Sequence, residues 1–258
     1  MTDFYETQTA NCDKHGEFEQ KVMSGFKKGE VICISRCPEC LREQEEEKTK
    51  RDEAQKKYEH QHLIKRCVQN FKETTPRRFE GCSFETYKPT CKEANAALKA
   101  CKTYASQFES VGANGAGLIF CGKLGTGKTH LALSIAREVA RTGRECRYVN
   151  LLDLIRYIRA SWKDGGNEEG EILYRISNYD LLIIDEIGVQ NGTENEKTML
   201  FDIINSRYEN MLPTIIISNL STTEISTLIS ERSVDRITEG GGGTLVFDWG
   251  SYRNRDAA

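Results

Sequence analysis

The chain has 258 residues, 38% of them hydrophobic and 29% charged, with a formal net charge of −3. That length suits one full α/β domain with a smaller segment left over, and the slight acidity confines any nucleic-acid contact to a local patch. No apolar run nears the roughly 20 residues of a bilayer span. The start, MTDFYETQTANCDKHGEF, lacks a basic-then-apolar export signal, so the expected compartment is the cytoplasm, with no membrane partner and the ten cysteines reduced or metal-bound.

The first forty residues are polar and hold Cys12, Cys33, Cys37 and Cys40. CDKH at 12–15 and CPEC at 37–40 are C-x-x-H and C-x-x-C pairs across an intervening loop, and two such knuckles close a tetrahedral Zn²⁺ site of Cys12, His15, Cys37 and Cys40. Cys33 is an alternative ligand with a spacing less suited to a knuckle. Four protein ligands leave no open position, so the site is expected to be structural. Because the segment has too few apolar residues to fold alone, the metal would supply its stability. From Leu41 to about Lys72 the chain is rich in Glu, Lys, Arg and Gln without Pro or Gly, which predicts a helix. Only its end carries an apolar stripe (Leu63, Ile64, Cys67, Val68, Phe71), spaced to pack on its own domain as a connecting helix or on a partner as a docking arm.

After residue 76 the pattern becomes α/β. GLIF (117–120), CRYV (146–149), LLIID (181–185), TIIIS (214–218) and TLVFDW (244–249) read as buried strands. Leu131, Ile135 and Val139 share a helical face after the first. Leu151, Ile155, Ile158 and Trp162 do so after the second, and Leu200, Ile203, Ile204 and Met211 before the fourth. Alternating strands and helices predict a parallel five-stranded sheet covered on both sides.

GKLGTGKT, from Gly122 to Thr129, satisfies G-x-x-x-x-G-K-[ST] between a strand and a helix. The glycines at 122, 125 and 127 let backbone N–H groups converge on phosphate oxygens at a helix N-terminus. Gly122, Gly125, Thr126, Gly127, Lys128, Thr129 and His130 are therefore the candidate nucleotide-binding residues, Lys128 for the β- and γ-phosphates and Thr129 for Mg²⁺. LLIIDE brings Asp185 and Glu186 to the carboxyl end of a strand, where open α/β sheets bind ligands. Asp185 is expected to hold Mg²⁺ through water and Glu186 to polarise the attacking water, so ATP hydrolysis is expected. Asn219 would reach the γ-phosphate and the water if its strand lies beside LLIIDE; otherwise it caps a turn.

Together GKLGTGKTHLA, LLIIDEIGVQ, TIIISN, ERSVDRI and FDWGSYRNR resemble the bacterial helicase loaders of the DnaC/DnaI type, AAA+ ATPases close to the IstB-type transposition ATPases, over about residues 76 to 255. The resemblance implies an AAA+ domain at 76–258 and a helicase contact for the zinc-binding module at 1–45, with the charged helical linker at 46–75 between them. It implies a chain that assembles with itself and delivers a hexameric replicative helicase to single-stranded DNA. By position, Arg236 in VDRI resembles an arginine finger acting on a neighbouring subunit, with Arg232 the alternative, and Arg253 resembles a sensor arginine contacting nucleotide in its own subunit. So short a tail after Arg236 implies no C-terminal helical lid, and weak hydrolysis without assembly, partner or DNA. LLDLIRYIRASWK lies where these loaders contact DNA, which makes Arg156, Arg159 and Lys163 candidate DNA-binding residues. Two other functions fit the same motifs: an IstB-type transposition ATPase, and a non-hydrolysing adaptor switched by nucleotide.

Overall fold

The computed structural model describes residues 5–24, 31–163, 169–188 and 194–252. The chain divides into two units, Met1–Gln61 and His62–Ala258.

In the first unit, β1 (Tyr5–Cys12) and β2 (Gly16–Ser24) form an antiparallel hairpin, and β3 (Val31–Ile34) adds to β2. The sequence pattern gives no strands here. Strand signals rest on apolar alternation, and β1, YETQTANC, is polar on both faces, leaving only the propensity of its Tyr and Thr residues. Gly16 closes the hairpin at φ 79°, a left-handed value open to glycine, and Cys12 pairs with Gly16 so that Cys12 and His15 sit at the turn. Next comes α1 (Pro38–Thr74), a 37-residue helix. It starts three residues earlier than the charge-rich run implies: Pro38 occupies the first helical position, where its missing N–H costs nothing and its fixed φ fits, and the Cys37 carbonyl accepts from the Leu41 N–H at 3.0 Å.

In the second unit, the end of α1 buries Cys67 and Phe71, and Phe71 and Val68 pack into the core beside α2 (Lys92–Ser106). A short α3 (Phe108–Ala113) leads into β4 (Leu118–Gly122). Then follow α4 (Lys128–Ala140), β5 (Cys146–Asn150), α5 (Leu151–Lys163), α6 (Glu169–Ser177) and β6 (Leu181–Ile187). The remainder is α7 (Glu194–Glu209), β7 (Thr214–Ser218), α8 (Thr222–Ile229), α9 (Glu231–Thr238) and β8 (Gly243–Phe247).

The sheet is parallel in the order β5-β6-β7-β4-β8. Successive strand residues point to opposite faces, which sorts the core into two layers. Leu118, Phe120, Leu181, Ile183, Ile215 and Ile217 meet α2 and α4. Ile119, Leu182, Ile184 and Ile216 meet α5 to α9. All five expected strands are present, with ends shifted by one or two residues. The last stops at Phe247, so Asp248 and Trp249 leave the sheet.

Candidate functional site

The phosphate loop runs from the end of β4 into α4. Gly125 (φ 73°) and Gly127 (φ 95°) adopt left-handed conformations, and a Cβ at either would overlap Ser251 or Tyr87. Lys128 is 5% exposed, and its Nζ donates to the carbonyls of Gly122 at 2.8 Å and Lys123 at 2.6 Å. Burial lowers its pKa to about 8, with Asp185 opposing the shift.

Asp185 is buried at the end of β6. Its Oδ2 accepts from Thr129 Oγ1 at 2.8 Å and from the Tyr148 hydroxyl at 3.1 Å, while Oδ1 accepts from the Glu186 N–H at 2.7 Å. Burial raises its pKa and these hydrogen bonds work the other way. The β6–β7 register breaks between Ile184 and Ile187, and Glu186 within the break has φ 63°. A non-glycine residue in that conformation is strained, and such a bulge re-aims a side chain. Glu186 Oε2 accepts from Asn150 Nδ2 at 2.6 Å.

A cavity of about 1020 Å³ is lined by residues 124–130, Asp185, Glu186 and Asn219. Asn219 follows β7, which does lie beside β6. Thr129 and Asp185, already hydrogen-bonded, are the residues that could hold a divalent cation. His130 lines the cavity too, but its Nε2 bonds to the Ser83 carbonyl at 2.8 Å and lies 3.2 Å from Thr86 Oγ1, so it fixes the segment carrying Tyr87. Tyr148 and Asn150 went unpredicted. Asn150 pairs in register with Asp185, so the carboxyl end of the neighbouring strand was the available signal. Tyr87 and Trp249 are further unpredicted lining residues.

Arg236 lies apart from this cavity. Its guanidinium sits over the rings of Phe201 at 5.7 Å and Tyr208 at 5.2 Å, and its Nη1 is buried without a hydrogen-bond partner among the described residues. Arg232 is exposed. Arg156 and Arg159 are exposed on α5, Arg156 pairing with Asp153 at 3.4 Å. Arg253 and the side chains of Lys163, Trp162 and Cys33 lie outside the described residues.

In the first unit, the ligand atoms of Cys12, His15, Cys37 and Cys40 all lie within 4.8 Å of one another. Cys12 Sγ is 3.5 Å from Cys40 Sγ, and His15 Nδ1 is 3.7, 3.7 and 3.3 Å from the sulfurs of Cys12, Cys37 and Cys40. A tetrahedron with metal–sulfur bonds of about 2.3 Å has sulfur–sulfur edges near 3.8 Å, so the donor set and spacing fit such an ion. The backbone N–H groups of Lys14 and His15 bring Cys12 down to about 6. Its proximity pushes Cys40 up to about 11, a conflict that a divalent cation between the thiolates relieves. His15 Nε2 faces Glu43 Oε1 at 3.2 Å, and Lys14 also bonds Glu43; a carboxylate on the far nitrogen is the usual way a metal-binding imidazole is oriented.

Among the described residues, no helix is long and apolar enough to cross a membrane. The profile of the family described as IstB-like ATP binding protein matches residues 45–238. The replicative helicase loader DnaC of Escherichia coli K12 is 35% identical over 176 residues, 68% of this chain and 71% of the loader. A crystal structure of the DnaC helicase loader superposes with a TM-score of 0.60 at 25% identity, over 67% of this chain and all of that one. A DnaI structure gives 0.57 at 21% identity, over 69% and 93%, a likeness of fold alone. With a strand–glycine loop–helix phosphate site and an Asp-Glu strand end in a parallel sheet, the chain belongs to the family of IstB-like ATP-binding proteins and is a relative of the DnaC helicase loaders.

Proposed function

We propose that the chain is an ATP-dependent loader that binds a hexameric replicative DNA helicase and delivers it to single-stranded DNA during replication initiation. The 35% identity to the E. coli loader over 68% of the chain carries the reading. In this reading the loop 122–129 and His130 surround the triphosphate, Lys128 neutralises the β- and γ-oxygens, and Thr129 and Asp185 hold Mg²⁺. A cation held by these two residues would supply positive charge against that developing on the phosphoryl oxygens. Glu186, held by Asn150, orients and deprotonates the water, and Asn219 fixes that water against the γ-phosphate. Arg236, outside its own chain's cavity, serves a neighbouring protomer, and Arg253 contacts nucleotide within its own. Arg156, Arg159 and Lys163 contact single-stranded DNA. Cys12, His15, Cys37 and Cys40 hold Zn²⁺, which makes the first unit a firm surface for the helicase.

The second reading, which the match to the IstB-like ATP binding family leaves open, is a transposition ATPase of the IstB type acting with a transposase. Purification with the host's replicative helicase, followed by ATP turnover with and without single-stranded DNA, tests the proposal. Glu186→Gln should keep ATP affinity while turnover falls by about a hundredfold or more. Failure to bind any replicative helicase, with capture of a transposase instead, would transfer the chain to the second reading.

A further inference from the structure

The phosphate loop is held from behind by groups that the motif does not contain. Thr126 is 2% exposed, and its carbonyl accepts twice, from the Tyr87 hydroxyl at 3.3 Å and from the Trp249 indole N–H at 3.1 Å. The carbonyl of Gly125 accepts from the Tyr252 N–H at 2.8 Å. In a planar trans peptide the N–H points opposite to the carbonyl. Two donors on the Thr126 carbonyl therefore aim the Gly127 N–H the other way, and the bond to Gly125 does the same for the Thr126 N–H. Neither N–H donates to a backbone carbonyl among the described residues.

Such control matters because glycine crosses between φ regions at little cost. With Gly125 and Gly127 flanking Thr126, these peptides are free to turn over unless something prevents it. Once turned, a peptide would present its carbonyl dipole to a phosphate, converting an attractive group into a repulsive one.

Both halves of the support are themselves fixed. Trp249 packs against Phe247 with ring centroids 4.9 Å apart and planes tilted by 39°. The Phe247 carbonyl accepts from the Lys123 N–H at 2.8 Å, and Asp248 pairs with Lys123 Nζ at 2.7 Å. Tyr87 meets His130 edge-on at 5.4 Å, and His130 is tied to Ser83. The segments 83–87 and 247–252 thus meet on one carbonyl.

We propose that Tyr87 and Trp249 form a brace that locks the peptides of the phosphate loop with their N–H groups toward the ligand, and are positioning residues for binding nucleoside di- and triphosphates. The proposal rests on the nucleotide-binding reading of the loop.

Trp249→Phe and Tyr87→Phe each remove one donor while keeping a ring in place, and the double variant removes both. ATP, ADP and adenosine are the probes, titrated by calorimetry, with thermal unfolding as the control for intact fold. The double variant should bind ATP and ADP about tenfold more weakly or worse, each single variant less so, while adenosine binding stays as in the unaltered chain. An equal loss for all three ligands would mean that the rings contact the base, and it overturns the brace. So does an unchanged ATP affinity in a double variant whose parent binds ATP. A parent chain that binds neither ATP nor ADP removes the nucleotide reading itself, and the brace falls with it.

Discussion

In the unit Met1–Gln61 only Val22 and Cys37 are buried apolar residues among those described, whereas His62–Ala258 buries apolar side chains on both faces of a five-stranded sheet. Burial at about 25 cal/mol per Å² of apolar surface accounts for the second unit. It leaves the first without a comparable driving force, and a unit that buries so little apolar surface usually needs a metal, disulfides or a partner to fold. The first unit instead gathers three thiols and an imidazole into one cluster whose ligand atoms lie within 4.8 Å of one another. The difference teaches where each unit is vulnerable: one through four ligand atoms, the other through methylenes.

The largest effect should come from breaking the first half of that contrast. In the full chain, a strong zinc chelator or Cys37→Ser should abolish the order of residues 5–24 and 31–45, a loss on the order of 10 kcal/mol of metal-linked folding energy. The second unit should keep its unfolding transition. Amide signals resolved by NMR would report both units in one sample. Retention of β1–β2 signals in chelator, or metal analysis that finds no zinc, would erase the contrast.

Legibility in the sequence followed the same division. The second unit announced itself because its buried strands are continuous apolar runs and its phosphate site is one local stretch, so LLIIDE and GKLGTGKT carried both element and chemistry. The ligand quartet was legible as well, from spacing alone. Its scaffold was not, since a sheet that hides little apolar surface has no hydrophobic alternation to detect. The brace escaped for another reason: Tyr87 and Trp249 lie 39 and 123 residues from Thr126 in sequence, and only the fold brings them together. Glu186's left-handed backbone was equally invisible, because it depends on a register break between two distant strands.

A smaller effect tests the other half of the contrast. Ile183 is fully buried in the interior strand β6, and Ile183→Ala should cost about 4 kcal/mol through lost burial and the cavity left behind. Denaturant unfolding followed by Trp fluorescence and circular dichroism should show that loss in the second unit, with metal binding by the first unchanged. A cost below about 1 kcal/mol would mean that the apolar layers do not dominate as their burial implies.

The smallest expected effect is in pH dependence, and it also separates the units. If the proposed metal holds the first unit, that unit should weaken in acid, where protons compete for its ligands; the second should respond in base, through Lys128. Burial sets the Lys128 amine at about 8 in the nucleotide-free fold, against 10.5 as its ordinary value. The lowered value means that the unfolded chain binds more protons between these limits. Stability of the nucleotide-free second unit should therefore rise as pH climbs from about 8 towards 10.5. A bound triphosphate favours the ammonium, so above about pH 8 binding must take up a proton, and ATP affinity should fall by up to about tenfold per pH unit. Below pH 8 Lys128 contributes no such slope. Calorimetry in buffers of different ionisation enthalpy reads the proton directly. Binding at pH 9 with no proton uptake would mean that Lys128 keeps its charge against the carbonyls of Gly122 and Lys123, and that the resting loop already carries the cation its phosphate requires.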